Sequence, residues 1–299
     1  MEQVRCNLCT ADDPRIIFYK DGYRIVRCKS CGLVYVSPRD AFNRIVRLYS
    51  HPYFELEKFA RKYRTGYRNY VADRELHAAY FRKKVREIRR HTSGGRLLDV
   101  GTAFGYFLEE ARQAGFDGWG IDVSEYAATE AGKRLGKRIL KGTLKDAELP
   151  AESFDVVTAF QTLEHLPDPL ENLRHMYALL VPGGMVMLVV PDQGSWIAAV
   201  LGRHWFGYKP KEHLYCFTAR TISRMLDTAG FVRISASRDT ARPYPVRHIL
   251  ERLRYLYPKL SGLTRAIDAG ARQLGALDLA IPVLLGDLSV VAYKKSEEG

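Results

Sequence analysis

Leu98-Asp99-Val100-Gly101-Thr102-Ala103-Phe104-Gly105 decides the fold. Arg96–Val100 is an apolar strand, and it runs into a glycine turn. Tyr106–Ala114 then reads as a helix closed by Gly115. Strand, tight turn, helix is the place where an α/β fold holds a nucleotide-like cofactor. Gly101 lets the backbone turn sharply, while Ala103 and Gly105 keep side chains off a ligand lying on the turn. N–H groups at the helix start suit an anionic end such as a carboxylate. The spacing Gly101-x3-Gly105 is not the G-x-G-x-x-G that a pyrophosphate needs, which argues against NAD.

The pattern continues on both sides of this stretch. Upstream, Leu76, Tyr80, Phe81, Val85 and Ile88 fall on one helical stripe, broken at Ser93-Gly94-Gly95. Downstream, Trp119–Asp122 is a second strand, and Ser124 caps a helix over Glu125–Leu135. Asp122 lies 23 residues after Asp99, where an acid can accept both hydroxyls of a ribose. Phe154–Phe160 and Met185–Val190 read as strands, with a helix over Leu170–Leu180 between them. Strands alternating with helices predict a Rossmann-like, doubly wound parallel sheet. Thr218–Ala229 is a capped helix, Phe231–Ser237 a strand and Leu288–Tyr293 the last strand. Between those last strands, about 240–287, sits a helical insertion with amphipathic segments at Val246–Tyr257 and Leu260–Leu274. It is too long for an unstructured loop in a compact domain.

Cys6, Cys9, Cys28 and Cys31 form C-x2-C-x18-C-x2-C, the spacing of a four-thiolate zinc ribbon. Two short alternating runs around Lys20-Asp21-Gly22 predict a hairpin between the knuckles. A forty-residue module has little core, so metal supplies the missing stability. Free thiols or two disulfides are the alternative. Cys216 is read as a buried core thiol. The domains expected are a zinc-ribbon module at 1–40, a Tyr-rich basic lid or linker at 41–93, and the main domain at 94–299.

A hydrophobic content of 46% supports a real core, and no apolar run of 18 residues predicts a membrane span. No leader precedes Cys6, so a reducing cytoplasm is expected, with peripheral membrane contact left open. The net charge of +12 is uneven, with eleven Lys and Arg between Arg61 and Arg90. That density suits an anionic partner, or it is a solvated helix face.

The stretch from Arg96 to Phe231 resembles the class I S-adenosylmethionine-dependent methyltransferases. The resemblance is carried by the glycine motif, Gly120-Ile121-Asp122, Asp146-Ala147-Glu148-Leu149-Pro150, Ser153-Phe154-Asp155-Val156-Val157, Leu163-Glu164-His165-Leu166-Pro167-Asp168-Pro169 and Leu180-Val181-Pro182-Gly183-Gly184. It implies that Gly101, Ala103 and Gly105 line the methionine part of the donor. It places Asp122 on the ribose, Val123 on the adenine, Asp146 and Ala147 at the adenine edge, and Gln161 beside the donor. Ala103 departs from the glycine common in the family. Tyr67 and Tyr70, in the Tyr-rich segment, are candidates for lining the donor pocket, or they form a packing stripe.

The chain's ends extend the likeness. A cysteine module ahead of this domain, with Glu212-His213 before Tyr215-Cys216-Phe217-Thr218, resembles C-methyltransferases acting on nucleotide-linked deoxysugars. An imidazole with a nearby carboxylate suits removal of a proton from a hydroxyl or carbon acid. Bonding of His213 to a loop carbonyl is the plainer reading. Glu164-His165 resembles a pair in ubiquinone-pathway O-methyltransferases, where an acid three residues earlier is associated with a metal. Gln161 stands at that position and argues against a catalytic metal. His165 is the second acid–base candidate, and Glu164 reads as structural. The acceptor expected is a small molecule: a sugar, nucleotide sugar, natural product or envelope glycolipid. An RNA methyltransferase and a non-catalytic binding protein are the alternatives. The zinc segment is not strongly basic and no base-flipping motif is present, which disfavours nucleic acid. The insertion is expected to cover the acceptor site, form a homodimer interface or lie on an anionic membrane.

Overall fold

The structure is a computed structural model that describes residues 1–49, 53–54, 70–71, 73–239, 242–283 and 286–296. It has two compact units, Met1–Asp239 with Gly286–Gly299, and Thr240–Leu285.

The first unit begins with a hairpin of β1 (Pro14–Lys20) and β2 (Tyr23–Cys28). Asp21 and Gly22 between them have φ of 50° and 83°, which the two-residue hairpin turn requires. β3 (Val34–Val36) adds to β2, and the short helix α1 (Phe42–Val46) follows. The helix α2 (Arg74–Ile88) leads into β4 (Gly95–Val100). Helix and strand then alternate through α3 (Tyr106–Gln113), β5 (Phe116–Asp122), α4 (Glu125–Leu135), β6 (Ile139–Lys141), β7 (Phe154–Phe160), α5 (Pro169–Leu179) and β8 (Leu180–Pro191). Next come α6 (Trp196–Leu201), β9 (Tyr215–Cys216), α7 (Ala219–Thr228) and β10 (Val232–Arg238). The second unit holds β11 (Arg242–Pro245), α8 (Val246–Leu256), α9 (Ser261–Gln273) and β12 (Ala280–Val283), with β11 and β12 paired antiparallel. The chain re-enters the first unit as β13 (Asp287–Tyr293).

The central sheet has the order β10-β13-β8-β7-β4-β5-β6. β4 to β8 are mutually parallel, as helical crossovers demand. β13 enters antiparallel between β8 and β10, so the sheet is mixed at one side rather than wholly parallel. Alternation along each strand separates two cores. Leu98, Val157, Val186, Leu188 and Val290 face α5 and α7, whereas Leu97, Val156, Met185, Met187 and Val291 face α2 and α3.

The cysteine segment does not stand apart. Cys6, Leu8, Cys28, Cys31, Leu33 and Tyr35 belong to the same core cluster as Leu98, Leu188 and Phe217. β3 also pairs with β9, matching Val34 to Cys216 and Tyr35 to Tyr215. The hairpin sheet is thus completed by a strand from far along the chain. Arg39 donates to Pro167 O (2.9 Å) and to the Tyr215 hydroxyl (3.0 Å), and Asn7 donates to Asp168 Oδ1 (2.8 Å).

Much of the basic charge near α2 is internally compensated. Arg74 pairs with Glu109 (2.8 Å) and Arg82 with Glu110 (3.1 Å). Lys84 is fully buried; it pairs with Asp239 and Glu87 and donates to Ser289 Oγ. Arg61, Lys62, Arg64 and Arg68 lie outside the described residues.

Candidate functional site

The sheet continues from β4 to β5 and β6 on one side, and through β7 to β8 on the other. The C-terminal ends of β4 and β7 therefore frame a topological switch point, the crevice where open α/β sheets bind ligands. The glycine turn follows β4 there. Gly101 has φ 77°, and a Cβ on it would run into the Thr162 side chain, so no side chain fits. Gly105, φ 74°, caps α3. Ala103 has φ 47°, a left-handed conformation that favours glycine and strains an alanine.

Asp122 binds the turn to the end of β5. Its Oδ2 accepts from Ala103 N–H and its Oδ1 from Ser124 N–H, both at 2.8 Å. Burial raises its pKa, and these two bonds oppose that. Each oxygen keeps a second lone pair for a ligand hydroxyl. Val123 follows, half-buried. Asp146 lies in the turn after β6, exposed, with its carboxylate receiving the Thr143 hydroxyl at 2.5 Å; Ala147 packs on the core. Gln161 follows β7 with φ 53°, and its Nε2 is buried without a hydrogen-bond partner. Two strained residues, Ala103 and Gln161, thus sit at the switch point, where strain accompanies function. Tyr70 is buried, stacked on Tyr106 (5.4 Å, 6°) and packed on Phe104 (5.3 Å) beside Phe54. Tyr67 lies outside the described residues.

The acceptor-side candidates converge just beyond β7. Candidate ligand atoms of Glu164, His165 and His213 all lie within 4.8 Å of one another. His213 Nδ1 donates to Gly207 O at 2.8 Å, since a carbonyl only accepts. Its Nε2 therefore carries the lone pair in the neutral ring. His165 Nδ1 bonds the Tyr49 hydroxyl at 3.0 Å, and its Nε2 lies 3.8 Å from Glu164 Oε1. Burial pushes the His165 pKa down to about 4, and that of His213 well below 6.5 with help from Lys209. Both rings are neutral at pH 7.

Glu164 is fully buried, and neither carboxylate oxygen has a hydrogen-bond partner. Burial raises its pKa to about 8. Buried carboxylates are usually hydrogen-bonded, so the two unsatisfied oxygens of Glu164 make it a candidate to hold a ligand or a proton beside its structural reading. Glu212 is fully buried as well, and Tyr53 and Lys209 are among its partners. Tyr53 donates to its Oε2 at 2.8 Å, and Lys209 Nζ lies 3.2 Å from its Oε1. The loop carbonyl of Gly207 orients the His213 ring, and Glu212 acts on it through its charge.

Tyr49 and Tyr53, expected only as members of the Tyr-rich lid segment, reach the site with specific contacts, and Lys209 is not anticipated at all. Tyr49 links both sides of the site, because its carbonyl accepts from Ser124 Oγ (2.5 Å) while its hydroxyl meets His165. Their only sequence signal is membership of the Tyr-rich segment and proximity to Glu212.

The four ribbon cysteines are free thiols whose sulfurs lie within 4.8 Å of one another, with Cys6–Cys31 at 3.3 Å and Cys9–Cys28 at 3.5 Å. Four thiols so grouped fit a tetrahedral ion with Zn–S bonds of about 2.3 Å. Cys216 is a buried thiol on β9, outside this group.

The family described as "Methyltransferase domain" matches residues 70–236. A ubiquinone biosynthesis O-methyltransferase of Bordetella avium is 33% identical over 129 residues, covering 40% of this chain and 54% of that protein. One from Idiomarina loihiensis is 30% identical over 165 residues, covering 50% and 67%. The chain thus spans between about half and two thirds of the length of these relatives. Among solved structures, a SAM-dependent methyltransferase from Thermotoga maritima superposes with a TM-score of 0.52 at 18% identity, covering 80% of this chain and 97% of that one. Another, from Archaeoglobus fulgidus, gives 0.51 at 21% identity, covering 79% and 98%. These two likenesses concern the fold. With the matched family spanning more than half the chain and the switch-point geometry in place, the protein belongs to the methyltransferase-domain family, with the class I S-adenosylmethionine-dependent fold.

Proposed function

We propose that the protein transfers the methyl group of S-adenosylmethionine to a hydroxyl oxygen of a small organic acceptor, with His213 as the base. The observation that carries this is the state of His213. It is buried and neutral, its Nδ1 is anchored on Gly207 O, and it stands against the His165–Glu164 cluster. The donor's methionine part lies on the Gly101–Gly105 turn, its ribose on Asp122 and its adenine near Val123, Asp146 and Ala147. Gln161 Nε2 donates to the bound donor or acceptor. As the acceptor oxygen attacks the methyl carbon, its proton passes to His213 Nε2. The S–CH3 bond breaks with its electron pair kept by sulfur, leaving S-adenosylhomocysteine, a methyl ether and an imidazolium. The sulfonium is already a good leaving group, so alignment and exclusion of water are the main tasks. His165, held by Tyr49, positions the acceptor.

The named relatives are O-methyltransferases of ubiquinone biosynthesis, which supports oxygen as the methylated atom. The cysteine ribbon and Glu212-His213 keep sugars, nucleotide sugars and glycolipid precursors in the acceptor class. Labelled donor with a panel of polyphenols, nucleotide sugars, lipid-linked sugars and RNA tests this. Methylation of RNA alone, or of nothing despite donor binding, would overturn it.

A second reading adds a divalent cation on Glu164, His165 and His213. It is favoured by the two orphaned, buried oxygens of Glu164 and by the held Nδ1 atoms of both histidines, the usual outer support of metal-bound imidazoles. Gln161 supplies no carboxylate, but His213 offers a third donor that the linear motif did not reveal. Such a cation would lower the pKa of a bound acceptor hydroxyl. Loss of turnover in chelator, restored by one divalent metal, distinguishes it. The four cysteines hold structural zinc in this proposal; with all four positions filled by protein they leave none open for chemistry.

A further inference from the structure

We propose that the Thr240–Leu285 unit docks the protein onto an anionic lipid surface through one face of α9. On α9 and the turns flanking it, Leu260, Leu263, Ile267 and Leu274 recur at helical spacing and form one stripe. They are 40%, 61%, 45% and 83% exposed. A different side of the helix is turned toward its own unit. Thr264 there is buried, and Asp268 receives Arg254 of α8 at 3.1 Å and Arg272 at 2.8 Å. The helix therefore packs by a polar side and presents its aliphatic side outward, the reverse of a helix on an ordinary globular core. Leu279 and Ile281, before and within β12, are also exposed.

Charge selects the occupant. The unit carries seven Arg and Lys against three acidic residues. Lys259 and Arg265 are exposed and pair with no carboxylate among the described residues. A second copy of this chain would bring two cationic units together, whereas an anionic bilayer satisfies the aliphatic stripe and the surplus positive charge at once. α9 has 13 residues, about 20 Å of helix at about 1.5 Å per residue, so it lies in the interface rather than crossing it. No helix among the described residues is long and apolar enough to span a membrane. The inference stands apart from the methyl-transfer reading.

The test is flotation of the full chain with phosphatidylcholine vesicles, with and without phosphatidylglycerol, at low and high salt. Binding to the anionic vesicles is expected, weakened by salt and reduced roughly tenfold or more by Leu263→Asp with Ile267→Asp. Lys259→Glu with Arg265→Glu should weaken it too. Circular dichroism checks that these exposed substitutions leave the fold intact. Absence of binding to anionic vesicles, or binding indifferent to Leu263→Asp with Ile267→Asp, overturns the proposal. So does a dimer in sedimentation that the same pair of substitutions dissociates, which would assign the face to self-association.

Discussion

The imidazoles of His165 and His213 meet edge to face, with ring centroids 4.7 Å apart at 86°. They come from different segments, one just after β7 and the other in the loop before β9. Their Nδ1 atoms are held by different partners, so the pair is preorganised without the two rings bonding each other. His213→Ala is expected to lower kcat by about 10²–10⁴ while donor affinity measured by calorimetry changes little. The acidic limb of kcat/KM should fall below pH 6.5, because burial holds both rings neutral there. An acidic limb at or above 6.5, or a fully active variant, would remove His213 from the base role.

Asp122→Ala should weaken binding of S-adenosylhomocysteine by roughly tenfold or more, since hydrogen bonds to a charged group contribute about 1.5–3 kcal/mol each. Part of the loss comes through the glycine turn, which the same carboxylate ties down at Ala103 N–H. Titration of the variant showing wild-type affinity would reject the ribose assignment.

Glu164 makes the stability of the metal-free protein pH-dependent. Its folded pKa of about 8 lies above the ordinary 4.5. Between those values the folded state holds a proton that the unfolded state has released, so stability falls as pH rises through this window. His165, lowered from 6.5 to about 4, acts oppositely: its share of stability is lost as pH falls through that range. Glu164→Gln should therefore raise Tm at pH 8 in chelator and do so much less at pH 5. With a divalent cation bound, the same substitution should lower Tm instead.

Cys28→Ser should abolish zinc binding, read as about one zinc per chain in the parent protein. The shared core and the β3–β9 pairing carry the damage further than the N-terminal forty residues. Turnover should drop together with stability, because β9 begins two residues after His213. Donor binding should persist at the separate glycine turn. A zinc-free variant with unchanged Tm and turnover would show that the ribbon and the acceptor loop are uncoupled.

Local features made the central fold readable. The glycine turn, the alternating strands and the capped helices after Ser124 and Thr218 each depend on neighbours a few residues away. The hairpin turn at Asp21-Gly22 was legible for the same reason. The site was only half legible. Asp122 and the His residues stand in motifs, but the left-handed backbone of Gln161 and the Gly207 carbonyl under His213 are set by tertiary packing. Tyr49 and Tyr53 read as members of a tyrosine-rich run, and only folding shows that they reach His165 and Glu212. The β3–β9 ladder joins residues too distant for any local pattern to announce.

That ladder has a consequence for biosynthesis. The four cysteines and the hairpin leave the ribosome long before Tyr215-Cys216 is made, so the outer edge of β3 waits unpaired through most of translation. Contacts of such long sequence separation form late, and an open edge is a template for pairing with other chains until it is covered. Zinc capture by the four cysteines, as proposed, would belong to the early phase of chain growth, whereas the loop bearing His213 is anchored beside the ribbon only once β9 pairs with β3. The nascent protein thus carries its four cysteines and its glycine turn before the loop bearing His213 has been made.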